Sequence, residues 1–592
     1  MTTRESLQIV ELDIERCSRT YGSAPCTAAL GTSGVRKCFN TYFTCQDTAN
    51  FDSTAETLRF ARNQNGFNRS DRIYPCLQSV STNPIEINLG GVSDRKSGLG
   101  KRARIKVMLK DFADSDIWFD QYQSERVDGT GQTDEGGYNP LNRGTFFGKL
   151  RRRFPYYVGR ALRVKEGYVG DSLASMRTRN YVVTEWAGPD AAGNVTITAS
   201  DVLDLADDKK ATAPKASEGR VANNLDDNTL EVFDLLPAGV GSEYPASGTA
   251  IIGSEIVTFT RSNDTITLTG RAQGGSAPST HSADDSFQLC YAVDGAKINE
   301  VAADLLTNYA DVDASYIDTT AWANEADRWL NTYRVTAIIT KPTGVAQLLA
   351  ELSDFGVMWW WDDEAAEIRM RANRPLDIGE TAPDLTDNAT FIEDKTGTKD
   401  LYDERISRVL FYHGVIDYSN PVTKGDNFRR VSVAIDGSAE SANEYDQVAT
   451  REVYTRWLGN EGSNTVASPV TRRILNRYRD TPRQVVFEYD VKDEASVQVA
   501  QPVTVQSRLL QDDTGNSLAV QMQVTSVEEV ITGHRLKAKA QSYQFNGRYG
   551  FFTENSRPDY DASTNEEKAK GTYFVDETTE EFSDGTGPYL FF

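Results

Sequence analysis

Hydrophobic and polar positions alternate with period two over much of this chain. In RARIKVML at 102–109, Ile105, Val107 and Leu109 fall on one side and Arg104, Lys106 and Met108 on the other, which is the pattern of a half-buried strand. RALRVKEGY at 160–168 repeats it. Helical spacing is confined to fewer stretches, INEVAADLLTNY at 298–309 and GVAQLLAELSDFG at 344–356. In the second, Val345, Leu348, Leu349, Leu352 and Phe355 recur three and four apart and Gly356 ends the run. A hairpin is predicted next, VMWWW turning at Asp362, Asp363 and Glu364 into EIRMRA. Trp359, Trp360 and Trp361 must then face alternately, so core or subunit interface is expected of them rather than a stacking platform for sugars or bases. The three turn carboxylates read as solvated turn chemistry rather than cation ligands.

The 592 residues exceed any single core, and 44 glycines, 26 tyrosines and 25 phenylalanines among Thr- and Val-rich runs favour strands and turns. The expected fold is mainly β with α+β parts. The texture divides it into a loop-rich, cysteine-rich region at 1–84, a β domain at 85–220, a small inserted β module at 221–293, an α/β domain at 294–375, a second β domain at 376–552 and an acidic extended tail at 553–592. The module is read as an insertion because a polar stretch at 207–228 precedes it and an amphipathic helix follows.

Charge and histidine content narrow the function. There are 86 acidic against 63 basic residues, a formal charge of -23, which argues against wholesale wrapping by nucleic acid or an anionic membrane. The stretch 96–165 is locally basic, with Arg151, Arg152 and Arg153 adjacent; it reads as a solvated face or inter-subunit ion pairs, with a DNA channel as the alternative. His281, His413 and His534 lie too far apart in sequence for a local two-His metal motif. No stretch has the length and apolarity of a spanning helix, and the first twenty residues hold no apolar leader segment, so maturation in a cytoplasm without membrane insertion is expected.

Cysteine spacing carries the sharpest chemistry. Cys17, Cys26, Cys38 and Cys45 fall in ERCSRTYGSAPCTAALGTSGVRKCFNTYFTCQD. Four soft thiolates in so short a stretch suit zinc or an iron–sulfur cluster, although the gaps are wider than the CxxC pairs of zinc knuckles. Two disulfides, or inert thiols, are the other readings, and a reducing compartment disfavours the bonds. Cys76 and Cys290 have no thiol neighbour in sequence and read as small buried hydrophobes.

The phrases DIERCSRTYG, PCTA and KCFNTYFTCQD resemble the cysteine region of lambda-type siphophage tail tip proteins, a family that binds a [4Fe-4S] cluster. LKDF with GTFFGKLRRRFPYYVGRALRVKEGY is similar to the tube-like β domain of long-tailed phage hubs, and SGTAIIGSEIVTFTRSNDTITLTGRAQGG to a small β module of tail proteins. The resemblance implies a non-enzymatic virion protein, assembled in the host cytoplasm. It would be a homotrimeric baseplate hub with two tube-like domains per subunit, adapting a sixfold tube to a threefold tip. The implied ligands of a [4Fe-4S] cluster are Cys17, Cys26, Cys38 and Cys45. The implied partners are the distal tail protein ring or tail tube, the tape measure C-terminus and central or side fibres, with DNA only in transit. A carbohydrate-binding or depolymerising tail component and a cytoplasmic iron–sulfur enzyme are the alternatives.

Overall fold

The computed structural model describes residues 5–28, 38–68, 70–89, 99–117, 141, 143–330, 333–374, 380–387, 389–392, 395–459, 466–490, 497–531 and 534–542, with three short strands beyond them. Strands dominate it, as the period-two patterning predicts. No helix among the described residues is long and apolar enough to cross a membrane.

The first sheet has eight strands: β1 (Ser6–Cys17), β2 (Ser53–Ala61), β3 (Ile73–Pro75), β4 (Leu77–Asn83), β5 (Arg104–Lys110), β6 (Ala161–Tyr168), β7 (Arg177–Ala187) and β8 (Asn194–Ser200). Their order is β3-β2-β1-β6-β7-β8-β5-β4. The two edge strands, β3 and β4, are separated in the chain by Cys76 alone, so the edges lie together and the sheet wraps into a nearly closed barrel. Its inner face is the alternating set: Val10, Leu12 and Ile14 from β1, Ile105, Val107 and Leu109 from β5, Leu162 and Val164 from β6. Helix α1 (Phe146–Arg153) packs Phe146, Phe147 and Leu150 into this core against Phe60. Each such side chain contributes roughly 1.5–3 kcal/mol of burial free energy.

This topology removes the boundary expected near residue 84. Residues of the 1–84 region supply four of the eight strands, because their alternation is masked in sequence by the long excursion between β1 and β2. The cysteine segment is therefore a loop on a barrel strand, not a domain of its own.

The second wrapped sheet is built from Asp384–Thr386, Pro502–Gln511, Ser517–Ile531, Arg535–Ser542, Arg483–Asp490 and Gly397–Asp400, in that order. Its edges are again near in sequence, and Phe391 between them bridges to Tyr489. Val485, Phe487, Val503, Val505, Met522, Val524 and Ala538 form its own core. The expected second β domain at 376–552 is not continuous, however. Strands Arg408–Val415, Phe428–Ile435 and Thr450–Tyr454, with helix Ala467–Tyr478, leave it and join the core of the 294–375 region, where Phe411, Val409, Trp457 and Val470 are buried with Leu349 and Phe355.

In that central core, helix Val345–Ser353 buries Val345, Leu348, Leu349 and Leu352 as its spacing predicts, and Gly356 (φ +81°) follows in the left-handed conformation that glycine permits. The Val357–Asp362 and Glu367–Ala372 hairpin is present; Trp359 and Trp361 enter the central core while Met358 and Trp360 face Ile87, Leu89 and Ala500. The module is a six-stranded sheet from Arg220–Val221 to Phe287–Leu289 with a core of its own. Yet Ile251, Ile256 and Cys290 pack into the central core, and a Cβ on Gly275 would meet the Ile416 carbonyl. The stretch expected as a linker is likewise pinned: Thr212–Ala213 pairs with Thr343–Gly344, and Ala211 and Ala213 are buried.

Ion pairs join the two barrels. Arg179 on β7 reaches both Glu166 (2.7 Å) on β6 and Glu529 (2.7 Å) on the second barrel, all three buried. Lys539 pairs with Glu86 at 3.2 Å, and the Ile87 N–H donates to the Thr525 carbonyl at 2.9 Å. The hairpin tip docks in this seam: Asp363 accepts from the Tyr181 hydroxyl (3.0 Å) and Glu364 pairs with Arg177 (2.5 Å). Asp362 makes the expected turn bonds, accepting from the Glu364 and Ala365 N–H groups, but the tip is only half exposed because arginines of the first barrel pair with its other carboxylates. Burial still raises the Asp363 pKa, even with Arg179 and Arg177 opposing it.

Of the acidic tail, only Tyr573–Phe574 and Tyr589–Leu590 lie among the described strands, each paired parallel with Tyr549–Phe551. The rest of the tail lies outside the described residues.

Candidate metal centre

Strand β1 ends at Cys17, whose partner on β2 is Ser53, so residues 18–52 form one excursion from the rim of the first barrel. Among its described residues almost nothing apolar is buried. Its buried described residues are Ala28 and the polar Asn40, Thr41 and Thr44. A segment of this kind needs directed bonds to hold its shape.

Asn40 supplies several. It is buried and left-handed (φ +57°), a conformation Asn tolerates. Its carbonyl accepts from the Cys17 N–H at 2.7 Å, and its amide Nδ2 donates to the Cys17 and Arg19 carbonyls at 3.2 Å. Asp47 does the same for the far side: its Oδ2 accepts from the Thr27 N–H (2.7 Å) and hydroxyl (2.9 Å), fastening the residue after Cys26 to the turn after Cys45. The Thr27 backbone bond is the chief reason the Asp47 pKa is lowered. Thr41 ties the excursion to the barrel by donating its hydroxyl to the Arg153 carbonyl at 2.7 Å. Arg153 in turn is held by Asp116 (2.8 Å) and lies 3.9 Å from the Phe39 ring centroid.

The result is that Cys17, Cys26, Cys38 and Cys45, separate in sequence, line one small cavity together with Arg19, Tyr21, Asn40 and Gln46. All four thiols are free and half-buried. The two disulfides considered from sequence are not formed. Two sulfurs already accept backbone hydrogen bonds with one local geometry: the Asn40 N–H points to Cys38 Sγ and the Asp47 N–H to Cys45 Sγ, each at 3.4 Å. Cys76 and Cys290 lie elsewhere, buried, with pKa values pushed up to about 12 by burial, as befits inert thiols.

Burial likewise pushes Cys38 up to about 11, the Asn40 N–H opposing it and the other three sulfurs adding to it; Cys45 is raised for the same first reason. Four thiolates this close repel, and only a bound cation can keep them ionised together. The donor set is soft, enclosed and supplied with N–H donors to sulfur, which fits a thiolate-ligated iron–sulfur cluster. Among the described residues no group of three or more His, Cys, Asp or Glu side chains has the closeness of a formed ion site.

Sequence reasoning placed the four cysteines but missed Asn40 and Asp47. The signal was available: each stands two residues after a cysteine, in CFN and CQD, where Asx residues shape turns. The basic stretch 96–165 is largely consumed inside the chain. Arg102 pairs with Asp207 (3.0 Å), Arg104 with Asp204 (3.4 Å), and Arg163 with both Glu11 (3.0 Å) and Asp13 (2.5 Å).

No family model and no curated protein matches the chain. Solved structures to which it is similar include the tail protein from Neisseria meningitidis MC58, at 9% identity over 74% of this chain and 88% of that one, with a TM-score of 0.34. The 43 kDa tail protein of prophage MuSo2 from Shewanella oneidensis is similar at 10% identity, covering 78% of this chain and 94% of that one, TM-score 0.34. Prophage tail protein gp18 from Listeria monocytogenes EGD-e is similar at 9% identity, covering 83% and 92%, TM-score 0.32.

Proposed function

We propose that this chain is a structural tail-tip hub protein of a long-tailed phage, and that Cys17, Cys26, Cys38 and Cys45 hold a [4Fe-4S] cluster that fixes the excursion on its first barrel. The observation that carries the hub reading is the presence of two separately cored, nearly closed β barrels in one chain, joined by buried ion pairs. Three such chains would offer six barrels to a sixfold tube, which is the arrangement the sequence resemblance implies. Tape measure, distal tail ring and fibres would dock around that ring, and the chain would carry out no turnover.

The cluster reading rests on the cysteine resemblance and on the convergence of four thiols on one cavity. Bound there, a cluster would supply four strong bonds to a segment whose described residues bury almost nothing apolar. The chain's contribution is to orient the sulfurs through Asn40 and Asp47 and to donate N–H bonds to them. Trp359 and Trp361 are inside the central core, so a sugar-stacking role for them has no support.

Symmetry-resolved imaging of the intact tail tip, with the mass of the purified protein in solution, tests the hub reading. Three copies in a ring with both barrels facing one lumen are expected. A monomer at every concentration together with a tip lacking this chain would overturn it.

A further inference from the structure

Strands Arg408–Val415, Phe428–Ile435 and Thr450–Tyr454 form a three-stranded sheet with Phe428–Ile435 at its edge. Helix Ala467–Tyr478 packs on one face of it. The other face holds Val431, Val433 and Ile435, which are 45%, 51% and 53% exposed, with Tyr412 and Leu410 beside the first two in register. Arg429 continues this stripe by strand alternation, and Arg430 stands next to it. Both arginines are exposed and in no ion pair among the described residues. A bare apolar edge strand invites association, and folded proteins normally cover it.

A complementary stripe lies on the inserted module. In its strand Val232–Leu236, the inward residues Phe233 and Leu235 belong to the module core. The outward side shows Val232 (61% exposed) and Leu236 (40%), with Leu230 (59%) just before the strand. Asp234 lies between Val232 and Leu236 on that side, and Asp227 is exposed in the turn that leads in. One stripe therefore joins aliphatic side chains to arginines and the other joins them to aspartates. Neither suits itself, because a twofold contact of either face would set like charges together. Both stay open within one chain, so the mate of each comes from another copy. Two unlike faces on every copy make a head-to-tail contact, the kind that closes into a ring.

We propose that the outward side of strand Val232–Leu236 in one copy packs on the Phe428–Ile435 stripe of the next. Leu230, Val232 and Leu236 would lie against Val431, Val433 and Ile435, with Asp227 and Asp234 against Arg429 and Arg430. The module thereby clasps the neighbouring subunit. The contact rests on the hub reading for the number of copies in the ring, while the pairing of the two faces needs only a second copy of this chain.

The full chain with p-benzoylphenylalanine in place of Val433, mixed as isotopically light and heavy copies, tests this. On irradiation, cross-links between copies to residues 227–236 are expected. Sedimentation reads the charges: Arg429→Glu/Arg430→Glu and Asp227→Arg/Asp234→Arg, each checked for an unchanged circular dichroism spectrum, should each weaken assembly by at least about tenfold. The four changes together should restore it. Should a reversal misfold, the cross-link from the otherwise wild-type chain decides alone. In a chain that assembles, cross-links within one copy, to another region of the neighbour or to nothing would overturn the contact and leave the hub reading standing. So would assembly indifferent to both reversals, or not restored by combining them. A wild-type chain that is a monomer at every concentration would overturn both.

Discussion

The two barrels solve the problem of a strand-to-strand connection differently. In the second barrel, the turn between Pro502–Gln511 and Ser517–Ile531 is closed by its own chemistry: Asp512 Oδ1 accepts from the Thr514 N–H (2.9 Å), the Thr514 hydroxyl (2.8 Å) and the Asn516 N–H (2.8 Å). In the first, the connection from β1 to β2 runs through residues 18–52, buries little that is apolar among its described residues, and gathers four thiols around a cavity. A short connection can satisfy its backbone locally, whereas a long one without a core needs a cross-link. The comparison teaches that both barrel cores stand on alternating apolar strands, while one rim carries a long cysteine-bearing connection and the other a short turn closed by its own side chains.

The largest expected effect breaks this contrast outright. Cys→Ser at Cys17, Cys26, Cys38 or Cys45 should each abolish the brown colour of anaerobically purified protein and expose residues 18–52 to protease, while hydrogen exchange in the second barrel stays as in wild type. Cys76→Ser and Cys290→Ser should keep the colour. Colour loss accompanied by equal loss of protection in both barrels would show that the cluster is not local to one rim.

Next in size is the seam that joins the barrels. Arg179→Met leaves Glu166 and Glu529 buried without their shared cation, and removing one partner of a buried ion set costs about 3–5 kcal/mol. Thermal unfolding should fall accordingly, with accelerated exchange on β7 and on Ser517–Ile531. Burial by itself would raise the Glu166 carboxyl; the neighbouring Arg179 outweighs it, and the group ionises below the ordinary range. A depressed carboxylate contributes stability that is present above its unfolded pKa and lost as pH falls through the folded one. The wild-type seam should therefore loosen in acid, and the variant should lose that pH dependence.

The module carries a smaller, sharper version of the same device. Glu255 is buried, and although burial opposes ionisation, hydrogen bonds from Arg271 and His281 and from the Ser279 and Ala272 N–H groups bring its pKa to about 2. Relative to an ordinary carboxylate this corresponds to roughly 3 kcal/mol, present above about pH 4.5 and lost towards about pH 2. Exchange at 249–290 in the intact chain should rise over that window, and Glu255→Gln should flatten the rise. The smallest effect belongs to the self-sufficient turn: Asp512→Ala should raise local exchange at 511–517, with the first barrel untouched.

Much of the fold was legible because burial imposes simple periods. Ile105, Val107 and Leu109, and Leu348, Leu349 and Leu352, sit where their spacing puts them. What escaped was the long-range bookkeeping of strands. Strand β1 pairs with β6 some 150 residues along the chain, and β5 with β8 some 90 residues along, and nothing local marks them as partners. The departure of 408–478 from the second barrel to the central core is equally non-local. At the cysteine cavity, residue type and closeness in sequence marked the cysteines, but the bonds of Asn40 and Asp47 that shape the cavity depend on backbone conformation that composition does not display.

Iron and acid-labile sulfide analysis of the anaerobically purified full chain, together with its electron paramagnetic resonance spectrum after reduction with dithionite, tests the central claim most directly. The account predicts about four irons and about four sulfides per chain with the signal of a single cubane, all lost on Cys38→Ser. A chain that carries zinc, or that carries no metal while residues 18–52 remain fully protected from exchange, would contradict it.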